Sequence, residues 1–286
     1  MQWSESNGIA LRYHFRAGSG PTLVLLHEMG GSLDSWRDVI DLLPESVQVL
    51  SYDMRCAGQS EKLTGAMHID AHVDDLKALL AELKVDGPLA LVGVAVGAAV
   101  AIRFAAIHGQ RVSHLVALAP ACGVIASARE RAQQVVAQIR GSGLRGVFLG
   151  LLDRGWPELM RNDTVRFASF RGRCLGNDPL GFSQFFEMLL GLNLEADLGR
   201  LPNRSVLVAG IYDELRPPQE IQRLSGFAPG VEWLDVASGH FMQVQSPRWV
   251  ATLLKDFIFA EMSAQQSYQA FTGDPKNLTG VSGHVA

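Results

Sequence analysis

Continuously apolar runs alternate along the chain with longer segments whose apolar residues recur at helical spacing. The runs are typical of parallel strands that are buried on both faces. Four of them cover residues 22–26, 89–92, 115–119 and 205–209. Residues 70–84 belong to the second class, because Val73, Leu76 and Leu80 fall on one stripe of a helix. The alternation predicts an α/β fold in which a mostly parallel, twisted sheet has helices on both faces.

The pattern changes between residues 123 and 200, where helical stretches are broken by glycine and proline and no strand-like run occurs. We interpret this segment as a helical cap inserted between two strands of a core that consists of residues 1–122 and 201–262. Residues 263–286 are small and polar and show no periodicity, which predicts a flexible C-terminal tail.

Composition and net charge limit the kinds of molecule that the chain is expected to bind. Of the 286 residues, 48% are hydrophobic and 19% are charged, as in ordinary globular proteins with a substantial core. The formal net charge of −4 gives no reason to expect nucleic acid or an anionic membrane as a partner. The longest apolar stretch, residues 89–102, is too short to span a bilayer. The expected partner is a small-molecule substrate, and the oligomeric state stays open.

The cysteines and the N-terminal residues bear on the cellular compartment. Cys56, Cys122 and Cys174 are odd in number and widely spaced, so they indicate neither a disulfide framework nor a zinc site. Residues 1–5 lack the basic start of a secretory signal. We therefore expect a reduced, cytoplasmic compartment. In the absence of a metal cluster or a phosphate loop, we expect no cofactor.

A sharp turn joins the run at residues 89–92 to an alanine-rich helical segment. The turn has the form Gly93-x-Ala95-x-Gly97. This is the layout of a nucleophile elbow, G-x-S-x-G, in which a strained strand-to-helix turn lifts the central side chain above the sheet. The two glycines are small because the backbones of strand and helix nearly touch there. The central residue, Ala95, carries no nucleophile.

Four further motifs accompany the elbow in a characteristic order. They occupy residues 27–32 (His-Glu-Met-Gly-Gly-Ser), 53–60 (Asp-x-Arg-x-x-Gly-x-Ser), 210–213 (Gly-Ile-Tyr-Asp) and 239–241 (Gly-His-Phe). With these motifs the chain resembles an α/β-hydrolase fold protein with a helical cap, over residues 9–262. The resemblance implies the α/β-hydrolase fold.

The resemblance also implies roles for individual residues. Asp213 stands in the position of the family's acid, and His240 stands in that of its base. Ala95 takes the position of the nucleophile. The backbone N–H groups of Val96 and Met29 are the expected oxyanion-hole donors.

Glu28 departs from the family pattern, which has a glycine at this position. Its carboxylate would lie near the place where negative charge develops, which is unfavourable for ester hydrolysis. Two interpretations stay open. Either Glu28 is turned to solvent, or it contacts the substrate and shares acid–base duty with His240.

Arginines in the cap and cysteines at strand ends are further candidates for substrate contacts. Arg166 and Arg171, with Arg173, either grip an anionic substrate or form a solvated helix face. Cys56 and Cys122 follow strands at the edge where such sheets bind ligands. They either line the pocket or are simply buried.

Ala95 decides how the function is interpreted. Removing the nucleophile of a serine hydrolase lowers kcat by about 10⁶. Either Ala95 is an engineered replacement of serine or cysteine, or it is native and the His240–Asp213 pair acts without a covalent intermediate. The second case would be a lyase, a cofactor-free oxygenase or an enzyme that directs water at its substrate. A non-catalytic receptor is a third possibility, but a receptor does not need the His240–Asp213 pair.

Hydrolysis is the leading prediction, because the whole scaffold is shared with that activity. We expect the substrate to be a small carbonyl compound such as an ester, a lactone, an amide or a C–C ring-cleavage product.

Overall fold

A single sheet organises the molecule, for which a computed structural model describes residues 2–124 and 129–278. Its strands are β1 (Gln2–Ser6), β2 (Ile9–Arg16), β3 (Ser19–Leu26), β4 (Val47–Tyr52), β5 (Leu89–Val94), β6 (Val112–Leu118), β7 (Ser205–Gly210) and β8 (Glu232–Val236). Neighbouring strands follow the order β1-β2-β4-β3-β5-β6-β7-β8. Strand β2 runs antiparallel to β1 and β4, and the remaining pairs are parallel. The predicted, mostly parallel sheet is therefore confirmed.

Both faces of the sheet are covered. Along β3, Val24 and Leu26 belong to one apolar cluster, whereas Leu23 and Leu25 belong to a second cluster. Successive side chains of a strand point to opposite faces, so the two clusters lie on opposite sides of the sheet. This double burial explains why the central strands are continuously apolar in the sequence.

Helices flank the sheet and follow its strands. They are α1 (Arg37–Asp41), α2 (Ile69–Glu82), α3 (Val96–His108), α4 (Arg129–Ser142), α5 (Arg145–Gly155), α6 (Thr164–Leu175), α7 (Pro179–Gly191), α8 (Glu195–Leu198), α9 (Pro218–Ser225), α10 (Met242–Gln245), α11 (Pro247–Leu254), α12 (Ala264–Gly273) and α13 (Pro275–Leu278). Short 3₁₀ helices cover Leu33–Trp36, Gly109–Arg111 and Glu158–Met160, and Lys255–Phe259 form a π-helical turn. Across the described ranges, no helix combines the length and apolar character that crossing a bilayer requires.

Helices α4 to α8 lie between β6 and β7 in the chain and form a segment of their own that rests on loops of the sheet. A third apolar cluster joins α4, α5, α6 and α7 to Phe241. Asn177 Nδ2 donates to Gly30 O at 2.7 Å, and Gln184 Nε2 donates to Gly65 O at 2.7 Å. These bonds attach the segment to the loops that follow β3 and β4. The cap boundaries at residues 123 and 200 stay a prediction.

The prediction of a flexible tail is wrong for residues 263–278. Ser263 begins α12 with a capping box, in which its side chain accepts from Gln266 N at 3.1 Å and Gln266 Oε1 accepts from Ser263 N. Tyr268 and Phe271 then pack against Trp249 with inclined rings, whose centroids lie 4.8 and 5.4 Å from that of the tryptophan. Two aromatic contacts hold this helix, which is too few to give a clear apolar period in the sequence. Residues 279–286 lie outside the described residues.

Candidate active site

Three loops meet at the carboxyl edge of the sheet, after β5, β7 and β8. They meet because β5, β6, β7 and β8 are consecutive parallel neighbours. In such sheets this edge is where ligands bind. The loops carry Ala95, Asp213 and His240, which we call the triad positions.

The elbow keeps the strained backbone of its class. Ala95 has φ 52° and ψ −112°, a conformation that L-residues rarely adopt. A Cβ on Gly93 would lie 2.4 Å from Gly97 O, and one on Gly97 would lie 2.3 Å from Leu26 O. Strand β5, helix α3 and strand β3 therefore touch, and only glycine fits between them. Ala95 N donates to Leu118 O at 2.9 Å, which fixes the strained residue against β6.

The predicted oxyanion donors lie on neighbouring segments. Val96 is the first residue of α3, so its N–H has no acceptor within the helix. A Cβ on Gly97 would lie 2.5 Å from His27 O, which places the loop after β3 beside this helix end. His27 Nε2 accepts from Met54 N at 3.0 Å and thus holds that loop. Met29 follows in the same loop and is partly buried. The oxyanion hole itself stays a prediction.

Asp213 and His240 form a buried, hydrogen-bonded pair. His240 Nδ1 lies 2.7 Å from Asp213 Oδ2. The other carboxylate oxygen accepts from Leu215 N at 2.7 Å and Arg216 N at 3.0 Å. Burial by itself raises the pKa of Asp213, but the charge and hydrogen bond of His240, with these two N–H groups, outweigh it and hold the pKa below its ordinary value. Asp213 is thus an ionised, fully bonded partner for the imidazole.

The geometry also selects the tautomer of His240. When Nδ1 carries the proton that Asp213 accepts, Nε2 keeps a lone pair and can take up a proton. Within the described part of the chain, no hydrogen bond engages Nε2. The backbone N–H of His240 donates to Gly155 O at 2.8 Å, so helix α5 supports the loop. His240 is 7% exposed, and its ring makes an edge-to-face contact with the ring of Phe241.

Glu28 is buried, so the interpretation that it faces solvent is wrong. Its side chain has 0% exposure, and its two oxygens accept from Ser35 Oγ at 2.9 Å and Gln243 Nε2 at 2.6 Å. A Cβ on Gly31 would lie 2.3 Å from Glu28 Oε1, so the loop folds around the carboxylate. A contact between Glu28 and substrate stays a prediction. No sequence pattern pointed to Ser35 or Gln243, because they lie on segments that are far apart in the chain.

The structure does not bring Arg166 and Arg171 to the triad positions. Arg166 Nε lies 3.1 Å from Asp38 Oδ2, and its Nη1 lies 3.3 Å from Asp163 Oδ2, so its charge is already matched. It lines a surface cavity of about 600 Å³ with Arg173, and none of the triad positions lines that cavity. Arg171 is partly buried and, in the described ranges, makes no ion pair. The predicted grip on an anionic substrate therefore lacks structural support for both residues.

Cys122 is part of the apolar core. It lies in the same cluster as Phe185 and Met188, and burial raises the pKa of its thiol to about 12. The thiol is therefore neutral at physiological pH and is not an activated nucleophile. Cys56 is also buried, and burial raises its pKa. A pocket-lining role for Cys122 stays a prediction.

Comparisons with known proteins bear on the fold. A model of the alpha/beta hydrolase fold family matches residues 21–143. The chain is 21% identical to an enol-lactonase from Burkholderia xenovorans LB400, with a TM-score of 0.83 over 90% of this chain and 99% of that one. With a thermophilic esterase from Thermogutta terrifontis the identity is 20%, the TM-score is 0.82, and the match covers 94% of this chain and 100% of that one.

Curated relatives match mostly over part of their length. A soluble epoxide hydrolase from a Corynebacterium strain is 36% identical over 99 residues, which are 35% of this chain and 34% of the relative. An uncharacterised protein of Mycobacterium tuberculosis is 32% identical over 35% of this chain and 29% of its own length. The chain thus spans about a third of the first curated relatives that it matches. Together with the sheet order and the elbow, the structural matches confirm the predicted fold: the chain has the α/β-hydrolase fold.

Proposed function

We propose that the chain is a hydrolase-type enzyme that acts on a small carbonyl compound, with His240 as general base and Asp213 as its partner. The observation that carries this proposal is the 2.7 Å bond between His240 Nδ1 and Asp213 Oδ2, with the second Asp213 oxygen held by two backbone N–H groups. A ligand-binding receptor does not need such a pair. The hydrolase-fold relatives named above support the class of reaction.

Ala95 rules out an acyl-enzyme on the elbow, so water is the nucleophile that we propose. His240 Nε2 takes a proton from water as the oxygen attacks the substrate carbonyl, and Asp213 stabilises the imidazolium that forms. The carbonyl oxygen becomes negative and is stabilised by the N–H groups of Val96 and Met29. The proton then passes from His240 to the leaving group, and the site returns to its starting state.

Glu28 favours a second candidate, the abstraction of a proton from carbon in a lyase-type reaction. Its carboxylate is buried in the loop that carries Met29, and its two oxygens accept from a hydroxyl and an amide. A negative charge there opposes the build-up of an oxyanion on Met29 N. In this candidate His240 is again the base, and Glu28 is the second acid–base group.

Turnover of a panel of p-nitrophenyl esters and small lactones tests the leading proposal. For the wild type we expect slow, steady hydrolysis without a burst, since no covalent intermediate accumulates. His240→Ala should lower the rate by about 10²–10⁴, the contribution typical of a general base. His68→Ala, at an exposed histidine, is the matched control and should leave the rate unchanged. An unchanged rate in His240→Ala on a substrate that the wild type turns over would contradict the proposal.

A further inference from the structure

At the carboxyl edge of the sheet, one charged side chain finds no partner of opposite charge among the residues that the structure describes. Arg216 lies in the loop after β7, just beyond Asp213, and is partly buried. Its Nη1 donates to Leu215 O at 3.0 Å, and its Nη2 donates to Gly123 O at 3.3 Å. Across residues 2–124 and 129–278, no carboxylate oxygen lies within ion-pair distance of this guanidinium.

Asp213 and Glu220 are the two acids whose charges act on Arg216, and each is bonded to another residue. Asp213 bonds to His240 at 2.7 Å, and Glu220 bonds to Arg223 at 2.9 and 3.0 Å. Burial lowers the pKa of Arg216 from its ordinary value, because the charged form loses its contact with water. Withdrawing a cation from water without a partner costs free energy. A charged group kept in this state at the carboxyl edge of the sheet, where such folds bind ligands, is a candidate for ligand binding.

The position of the guanidinium is fixed by the backbone next to the elbow. Ala121 N donates to Ala95 O at 3.1 Å, and the same segment continues to Gly123. Gly123 has φ 147° and forms an isolated bridge with Asn193, and a Cβ on it would lie 2.4 Å from Leu192 O. The carbonyl that holds Arg216 is therefore itself held between the elbow and the inserted helices. Of five guanidinium N–H groups, backbone carbonyls accept from two.

We propose that Arg216 binds a carboxylate group of the substrate beside the His240–Asp213 pair. The inference rests on the proposed function and narrows its substrate to a small carbonyl compound that also carries a carboxylate. The planar guanidinium fork can give a carboxylate two parallel hydrogen bonds. The bound carboxylate supplies the countercharge, and the two hydrogen bonds orient the reacting carbonyl, which is the kind of positioning that accelerates catalysis.

Binding of charged and neutral probes to the full chain tests the proposal. Isothermal titration calorimetry gives dissociation constants for benzoate and succinate, and for benzamide and succinamide. We expect the wild type to bind the carboxylates at least about tenfold more tightly than the amides, as for a charge-assisted bidentate contact. Arg216→Gln should lose this preference. Arg216→Lys should keep only part of it, because an ammonium group lacks the fork.

Arg154→Gln is the matched control. Arg154 is a cation close enough to act on Arg216, but it is 40% exposed and donates to Glu214 O. This variant should keep the full preference for carboxylates. Equal binding of acids and amides by the wild type, or a preference that survives in Arg216→Gln, overturns the proposal. If Arg216→Gln does not fold, Arg216→Lys decides: a reduced preference supports the proposal, and a preference as large as that of the wild type overturns it.

The two proposals fail separately. His240→Ala should bind benzoate as the wild type does, because the histidine is not part of the carboxylate contact. If that variant keeps full turnover, the proposed function is wrong whatever Arg216 binds. If it loses turnover while Arg216→Gln still prefers carboxylates, only the substrate class is wrong.

Discussion

At the scale of single residues, Ala95 shows that the backbone of an elbow can form without a nucleophilic side chain. The strained φ of 52° persists at a residue with no reactive atom. Its cause lies in Gly93 and Gly97, whose close backbone contacts with α3 and β3 fix the path of the chain. The turn is therefore a consequence of packing, and the side chain at its tip can change without remodelling it.

Because packing sets the backbone of the turn, we expect Ala95→Ser to create a serine that a fluorophosphonate probe labels. The added hydroxyl sits on a backbone already in the conformation of a nucleophile elbow, and His240 is available as its base. Mass spectrometry of the intact chain should show one added probe per Ala95→Ser molecule and none on the wild type. The double variant with His240→Ala should label far more slowly. A double variant that labels at the rate of Ala95→Ser would show that His240 does not activate this position.

Sequence reasoning reached some residues of the site and missed others for a physical reason. Asp213 and His240 each follow a strand whose apolar pattern is clear, so their place at the sheet edge was predictable, and the structure joins them by a hydrogen bond. The surroundings of Glu28 were not predictable. Its partners Ser35 and Gln243 come from a 3₁₀ helix and a short helix far apart in the chain. The missing countercharge of Arg216 likewise appears only in three dimensions.

At the scale of elements, the strands buried on both faces were predictable, whereas the edge strand β1 was not. Strand β1 at the sheet edge turns Ser4 and Ser6 inward, and both hydroxyls bond to Glu82. Polar residues on the inner face erase the alternation of polar and apolar residues that marks a strand. Helix α12 was missed because a capping box and two aromatic contacts hold it, rather than a continuous apolar stripe.

The contact between α2 and α7 gives the fold a predicted sensitivity to acid. His72 of α2 is fully buried, its ring stacks on Phe185 of α7 at 5.2 Å, and in the described part of the chain neither ring nitrogen has a hydrogen-bond partner. Burial, with the charges of Arg55 and His27, lowers the pKa of His72 to about 3. Below pH about 6.5, an unfolded histidine binds a proton that the folded one refuses. Stability should therefore fall as the pH falls from about 6.5 towards 3, by up to about 1.4 kcal/mol per pH unit.

Urea unfolding of the wild type and of His72→Phe between pH 7 and pH 4.5 checks whether His72 causes the loss of stability in acid. Phenylalanine keeps the stack on Phe185 and removes the titrating ring, so the free energy of unfolding should fall less steeply with acid than in the wild type. His68→Phe, at an exposed site nearby in the chain, should keep the wild-type slope. If His72→Phe has the wild-type slope as well, the acid sensitivity comes from other groups.

At the scale of the whole molecule, the inserted helices bear directly on the loop that carries His240. Gly155 at the end of α5 accepts from His240 N through its carbonyl. A Cβ on Gly155 would lie 2.9 Å from Phe241 Cε2, 3.0 Å from His240 Cβ and 3.1 Å from Leu215 Cδ1. These contacts are tighter than a packed interior allows, so the segment and the loop fit each other only with glycine between them.

Gly155→Ala should therefore lower turnover of any substrate of the wild type and destabilise the chain by about 1–3 kcal/mol, the usual cost of overpacking. Gly150→Ala on the same helix is the matched control. A Cβ there meets nothing within 4 Å, so it should leave turnover intact and stabilise the helix by up to about 1 kcal/mol. Urea unfolding and steady-state rates measure both effects. Equal rates in the two variants would show that the loop does not depend on this contact.

The packing that maintains the elbow around Ala95 has an evolutionary consequence. Every alanine codon becomes a serine codon by a single base change, and here that change falls on a backbone already shaped for a nucleophile. The glycines that hold the turn remain under selection for folding, whether or not any nucleophile is present. A nucleophile at this position is thus one base change away, because the architecture that it needs is retained by the need to fold.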